Sequence, residues 1–286
     1  MSRVIFHADD FGLTKGVNNG IIKAHREGVI KSSSIIPSGT AFEHAIRLAH
    51  ENPTLDLGVH LTLVEEKCLS DPQLIPSLVN SNGVFRKNFK KFIKDFFLGK
   101  IMLKEIEIEL EAQIKKCLNS GLTISHIDSH QHLHVLPGVL HRVYCLADKY
   151  KVPFVRTQIG LDKYFQWSKL AKLKRYNYLY GLQLMSFFSR SLILQKSGRL
   201  GSIKCYGFIS SGQMCMETIT KIFNTQEDLY EIMLHPGIAD DDTARLYGHW
   251  GYDWDKELEL VISPQLKQEM KSRRISSFSF KELCLD

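Results

Sequence analysis

The stretch "VIFHADDFGLTKGVNNGIIKAHREGVIKSSSIIP", residues 4–37, decides the fold. It begins with an apolar run, Val4 to Phe6, and ends with another, Ile35 and Ile36. Between them, Val17, Ile21, Ile22 and Ala24 recur at helical spacing, and Gly28 supplies a stop. This is one strand–helix–strand unit. A unit of this kind implies parallel strands joined by a right-handed crossover.

The same rhythm continues to the end of the chain. "LDLGVHLTL", "LTISHIDSH", "VPFVRT", "IKCYGFI" and "LYEIMLHPG" read as strands. "AFEHAIRLAHENP", "LKEIEIELEAQIKKCLNSG", "GVLHRVYCLADKY", "METITKIFNT" and "DKELELVISPQLKQEMKSR" read as helices, and "ISSFSF" is a last short apolar stretch. The expected class is α/β: a single (β/α) barrel, a TIM-like variant with about seven or eight parallel strands. Two excursions interrupt it, roughly 64–100 and 160–203. In barrels such insertions sit on the βα loops around the site. No linker, repeat or low-complexity segment divides the chain, so residues 1–286 are expected to form one domain.

Composition narrows the function. Hydrophobic residues make up 44% of the 286, enough for a full core and too many for disorder. The formal charge of +6 permits an anionic ligand without demanding nucleic acid, and none is expected as a partner. The 6 cysteines are scattered without a CxxC pair, which argues against a zinc knuckle or a disulfide framework. No apolar run is long enough to span a membrane, and no leader is evident, so a cytoplasmic setting is expected.

Polar residues at the C-terminal ends of parallel strands face the site. Four such ends stand out: Asp9-Asp10, His60, the run "SHIDSHQHLH", and His235. In the run, His126, Asp128, His130, His132 and His134 share one parity and would point the same way in an extended chain. They cannot all reach one ion, since a strand rises about 3.3 Å per residue. One or two near the end of the strand suffice, and Asp128 suits an acceptor that fixes a ligand's tautomer. Taken singly, a histidine at a strand end is ordinarily a satisfied polar residue, and an acidic pair before a helix is ordinarily a cap. Their coincidence at one barrel mouth favours a metal site. Adjacent acids project differently, so one binds the ion while its neighbour accepts a proton from water. A carboxylate with two imidazoles is a hydrolytic set for one divalent ion, Zn²⁺ by the softness of histidine or Mg²⁺ by the carboxylate and waters.

These residues resemble the YdjC-like carbohydrate deacetylase family, which includes chitooligosaccharide and hopanoid-associated deacetylases. The resemblance rests on "ADDFGLTKGVNNGIIKAHREG", "GVHLTL", "SHIDSHQHLHVLPGV" and "EIMLHPG", in order, from residue 3 to about residue 283. It implies metal-dependent removal of an acetyl group from an N-acetylated amino sugar. It further implies Asp10, His60 and His130 as metal ligands, Asp9 as the base and His235 as the acid that protonates the leaving amine. His132 and His134 match the family's following histidines. With His7 and Asp128, they are expected to touch substrate or orient the ligands. Where relatives commonly read "NADD", this chain reads "HADD", which puts an additional imidazole, His7, beside the acids.

The competing readings are a metal-assisted phosphoesterase and a non-catalytic sugar-binding protein. The excursion 160–203 holds Tyr164, Phe165, Trp167, Tyr176, Tyr178, Tyr180, Phe187 and Phe188 among many bases. It reads as an amphipathic cap or as a lid with aromatic faces for sugar rings. "FRKNFKKFIKDFFLGK", residues 85–100, has the same character. The expected substrate is therefore an N-acetylhexosamine glycoconjugate, with a chitooligosaccharide as the simpler alternative. Peripheral membrane contact and a homodimer complete the expected partners.

Overall fold

A computed structural model describes residues 2–85, 89–160, 177, 180–187, 203–225 and 227–284. Strand–helix alternation is as expected: β1 (Arg3–Phe11), α1 (Lys15–Glu27), β2 (Ser32–Ile35), α2 (Phe42–Glu51), β3 (Asp56–Leu61), α3 (Phe89–Phe97), α4 (Leu103–Asn119), β4 (Ile124–Ser129) and α5 (Val139–Lys149). There follow β5 (Phe154–Val155), β6 (Gln158–Ile159), a helix α6 at 180–187, β7 (Lys204–Tyr206), α7 (Met216–Ile222) and β8 (Leu229–Leu234). The chain continues through α8 (Asp241–Tyr247), α9 (Trp254–Ile262), α10 (Pro264–Ser272), β9 (Ser276–Phe278) and α11 (Phe280–Leu283).

Every described strand pairing is parallel, in the order β5-β4-β3-β2-β1-β8-β7-β6, with β9 added beside β1. β5 pairs with β4 at one edge and β6 pairs with β7 at the other. Only Arg156 and Thr157 separate β5 from β6, so one short run of chain joins the two edges and completes a barrel.

β1 is central and almost wholly buried, and Val4, Ile5 and Phe6 are fully enclosed. Burying one such side chain stabilises the fold by about 1.5–3 kcal/mol. α1 starts where the Thr14 hydroxyl accepts the Val17 N–H, and it ends at Gly28. Gly20 lets α1 lie against the loop after β8: a Cβ there would stand 2.4 Å from Gly237 Cα, two residues past His235. Gly58 clears room inside the barrel, since its Cβ would meet the His126 ring at 2.3 Å.

Two expectations change. "DKELELVISPQLKQEMKSR" forms two helices, because Pro264 has no N–H to continue α9 and instead opens α10, with Ser263 as its cap. The first excursion has a fold of its own. Antiparallel bridges join Lys67 to Val84 and Val79 to Phe85. Buried side chains of α4 hold its base: Gln113 accepts the Thr62 N–H at 2.9 Å, and Glu109 accepts the Ser70 N–H at 2.9 Å. Most of the second excursion lies outside the described residues, including Tyr164, Phe165, Trp167, Tyr176, Tyr178 and Phe188. Tyr180 and Phe187, on α6, are exposed.

Candidate active site

The strand ends meet at one mouth. β1 and β2 shift register between Ala8 and Phe11, and Asp10 takes a left-handed backbone at φ 71°. This bulge re-aims the acidic pair at the end of the strand. A left-handed non-glycine residue stores roughly 1–3 kcal/mol of strain, less for an aspartate, whose short side chain tolerates the region.

Asp10, His60 and His130 each offer one ligand-type atom, and these atoms lie within 4.8 Å of one another. His60 Nε2 and His130 Nδ1 stand 3.4 and 3.5 Å from Asp10 Oδ1. Both Asp10 oxygens are buried, and neither has a hydrogen-bond partner. Buried carboxylate oxygens are ordinarily satisfied, so this pair is an irregularity of the interior. The two imidazoles are aimed from behind. His60 Nδ1 lies 2.9 Å from Asp128 Oδ1, which holds the ring with its Nε2 toward Asp10. His130 Nε2 lies 3.4 Å from Glu65 Oε2, which leaves Nδ1 toward Asp10.

Proton affinities follow from this crowding. Burial pushes the Asp10 carboxyl up, but His130 and His60 outweigh it and hold the group below its ordinary value. Burial pulls His130 down, and Asp10 and Glu65 outweigh that, so the imidazole is pushed up to about 10. His60 is raised in the same way, with Asp128 opposing burial. In effect protons on two imidazoles balance a bare carboxylate. A divalent ion would do so more directly, and the donor set of one oxygen and two nitrogens fits one.

Asp9 is in the opposite condition. Arg156 Nη1 and Nη2 donate to its two oxygens at 3.0 and 2.9 Å, and His7 Nδ1 lies 2.8 Å from Oδ1. Burial raises its carboxyl, and Arg156, His60 and His7 outweigh that to hold it well below the usual range. Arg156 is also 2.8 Å from Asp128 and is bonded to Glu231, so one guanidinium serves three buried carboxylates. Asp9 still reaches the cleft. So do His60, His130, His132, His235, Ser211, Phe208, Trp250 and Tyr252, around a volume of about 300 Å³. Among the described residues no Lys or Arg lines it.

His235 follows β8, with its backbone N–H donated to the buried Glu257. Its Nδ1 is buried without a partner, and Nε2 is 3.5 Å from Ser211 Oγ. It lies across the cleft wall with Tyr252, whose ring is 4.6 Å away. Trp250 stacks on His130 at 4.8 Å with an interplanar angle of 29°.

The structure thus brings Asp9, His60, His130, His132 and His235 to one cleft, sets Asp10 against His60 and His130 at its edge, and places Asp128 behind His60. It separates the other histidines. β4 ends at Ser129, and Gln131 and His132 are left-handed at φ 54° and 53°, so the five-residue parity does not hold. Only His126 and Asp128 of that set are on the strand. His132 turns toward Phe208, at a ring distance of 5.3 Å. His134 turns away to Ser129 Oγ and the Arg156 carbonyl, and burial pulls it down to about 4. His7 also points away from the cleft, into the barrel, with its Nε2 2.7 Å from His126 Nε2. Arg156, Glu65, Trp250 and Tyr252 were not anticipated. Arg156 directly follows the apolar run of "VPFVRT", so the strand-end rule applied to charged residues of either sign would have found it.

The chain matches the family model of YdjC-like proteins over residues 3–272. It is 33% identical to a carbohydrate deacetylase of Brevibacillus brevis, covering 98% of this chain and 99% of that one. It is 32% identical to a carbohydrate deacetylase of Vibrio parahaemolyticus, covering 98% and 96%. A crystal structure from Enterococcus faecalis V583, named for cellobiose-phosphate cleavage, superposes with a TM-score of 0.74 at 28% identity, covering 99% of this chain and 98% of that one.

Proposed function

This chain belongs to the YdjC-like family, and from that premise we infer that it is a carbohydrate deacetylase, a hydrolase of the acetamide of an N-acetylated amino sugar. The observation that carries the metal-dependent form of this reading is the bare Asp10 carboxylate, buried and facing two pre-aimed imidazoles. Asp10, His60 and His130 would hold one divalent ion, zinc or magnesium. When bound, such an ion supplies a Lewis acid that polarises the acetyl carbonyl and acidifies water.

The rest is the work of the chain's own groups. Asp9, ionised throughout the neutral range, lines the cleft and accepts the proton of the attacking water. Arg156 and His7 fix the direction of that carboxylate, and they also weaken it as a base. His235, just past the end of β8, gives a proton to the departing amine. Trp250, Tyr252 and Phe208 present ring faces to the sugar and exclude water. The phosphoesterase alternative is weakened by a cleft without Lys or Arg among its described residues. The accompanying proposals are a cytoplasmic setting, peripheral membrane contact, a homodimer and an N-acetylhexosamine glycoconjugate as substrate.

Acetate release from N-acetylglucosamine, chitobiose and lipid- or phosphate-linked N-acetylglucosamine, with either ion, tests the activity. No acetate from any member overturns the deacetylase reading, and phosphate release selects the alternative. Good turnover of chitobiose with none of the linked sugars removes the glycoconjugate. His60→Ala and His130→Ala should each lose the ion by elemental analysis; undiminished metal in both removes the ligand assignment.

A further inference from the structure

Eight large apolar residues are markedly exposed among those described, and four of them fall within or just after the first excursion. Leu74, Phe97, Leu98 and Met102 are 56%, 57%, 58% and 54% exposed. The chain ties them together. Phe97 ends α3, Leu98 follows it directly, and Met102 comes after one tight turn in which the Lys100 N–H is donated to the Asp95 carbonyl at 2.9 Å. The Met102 N–H is donated to Ser77 Oγ at 3.0 Å, which brings the loop carrying Leu74 alongside.

Exposed lysines surround the patch: Lys90, Lys91, Lys94, Lys100 and Lys104. α3 sorts its residues cleanly. Phe92 is buried, Ile93 and Phe96 pack on the core, and Lys90, Lys91 and Lys94 face out. Of the nearby acids, Asp95 is buried and paired with Lys91 at 3.2 Å, Glu105 accepts the Ser77 N–H, and Asp71 accepts the Gln73 N–H, which leaves Lys90, Lys94, Lys100 and Lys104 as the main cationic rim. The surface is therefore apolar at its centre and cationic at its rim. A helix end of this composition, lying in the plane of a surface, suits an anionic bilayer: the apolar tips enter the headgroup boundary and the ammonium groups meet lipid phosphate.

The excursion that carries the patch springs from the catalytic side. The excursion leaves β3 through Glu65 and Glu66, which contact His130 and Tyr247 at 3.4 and 2.7 Å. It returns into α4, whose first residue, Leu103, abuts Gly138 beyond the histidine turn.

We propose that Leu74, Phe97, Leu98 and Met102, with their lysine rim, dock the protein on an anionic membrane and bring the cleft to a sugar carried on a lipid. The second half rests on the deacetylase reading; the first does not. The test is co-sedimentation of the full chain with phosphatidylcholine vesicles, with and without phosphatidylglycerol, in the absence of substrate. Binding is expected only to the anionic vesicles. Lys90→Glu/Lys94→Glu/Lys100→Glu should weaken it by roughly a hundredfold, and Phe97→Ser/Leu98→Ser by about tenfold. These positions are exposed, and unchanged circular dichroism checks that the variants fold. Absent binding, or binding indifferent to both variants, overturns the docking surface. A shift from dimer to monomer in the Phe97→Ser/Leu98→Ser variant, without vesicle binding, assigns the patch to a second copy of the chain and overturns it as well. Because binding is read without turnover, failure of the deacetylase reading leaves this result intact.

Discussion

The mouth of the barrel and the floor directly beneath it use the same residue types in opposite electrostatic conditions. At the mouth, Asp10 keeps both oxygens buried and unpartnered beside His60 and His130. In the floor, Asp9, Asp128 and Glu231 are gathered on Arg156, and His7 is joined to His126. Asp9 and Asp10 are neighbours in sequence and fall on opposite sides of this divide. A saturated cluster holds positions; an unsaturated one holds a place for something else. The difference shows that carboxylate and imidazole content does not by itself mark a ligand site. What marks it is the buried oxygen that the protein leaves without a hydrogen bond, facing two imidazoles.

The largest effect expected from breaking the contrast is on stability. Arg156→Ala strands three buried carboxylates and should cost about 3–5 kcal/mol. Asp10→Asn removes one charge that faces two imidazoles at 3.4 and 3.5 Å, and it should cost the metal-free protein clearly less than Arg156→Ala does. Urea unfolding without metal compares them, and equal losses in the two variants would erase the distinction between floor and mouth.

A somewhat smaller effect is expected on rate. Asp9→Asn should retain the ion and lose about 10²–10⁴ in turnover, since the base is gone while the ligands stay. Metal content and acetate release, measured on one preparation, decide it. Metal lost from Asp9→Asn and kept in Asp10→Asn exchanges the two roles.

The smallest effect is graded with pH. In the metal-free protein the raised His130 lends stability that is fully present below its unfolded value near 6.5. That stability is lost as pH rises through the folded value of about 10. An ion must displace the same protons, so the thermal stabilisation it gives should grow from pH 6 to pH 9. A metal-induced shift in Tm that is flat over that interval would mean His130 carries no proton to displace.

How much of this was legible in the sequence depended on whether backbone conformation followed from residue type. Apolar runs ending in Asp9-Asp10, His60, Asp128 and His235 marked strand ends, because burial and alternation are written in composition. The bulge at Asp10 and the left-handed pair Gln131 and His132 are not so written. An extended reading therefore aligned five residues that the turn disperses. Arg156 was visible in "VPFVRT" and passed over, since its three partners come from strands far apart in sequence. Glu65 and Trp250 reach the site from loops, where no period predicts direction. Pro264 did carry its signal, the missing N–H, inside what otherwise reads as one helix.

The seam of the barrel has a consequence for folding. β5 and β6 each offer only two residues of pairing, and Arg156 stands between them, its N–H donated to the Ile127 carbonyl and its own carbonyl accepting from His134 Nε2. The weakest-laced stretch of the ring is thus also the one that delivers the cation its acids need. Before the ring shuts, Asp9, Asp128 and Glu231 repel one another, and water must keep them apart. Closure and neutralisation are therefore expected to be coupled, since the same segment makes the last pairings and delivers Arg156 to the three acids. The amides at 154–159 should then exchange with solvent as a unit, on the schedule of global unfolding rather than of local fraying.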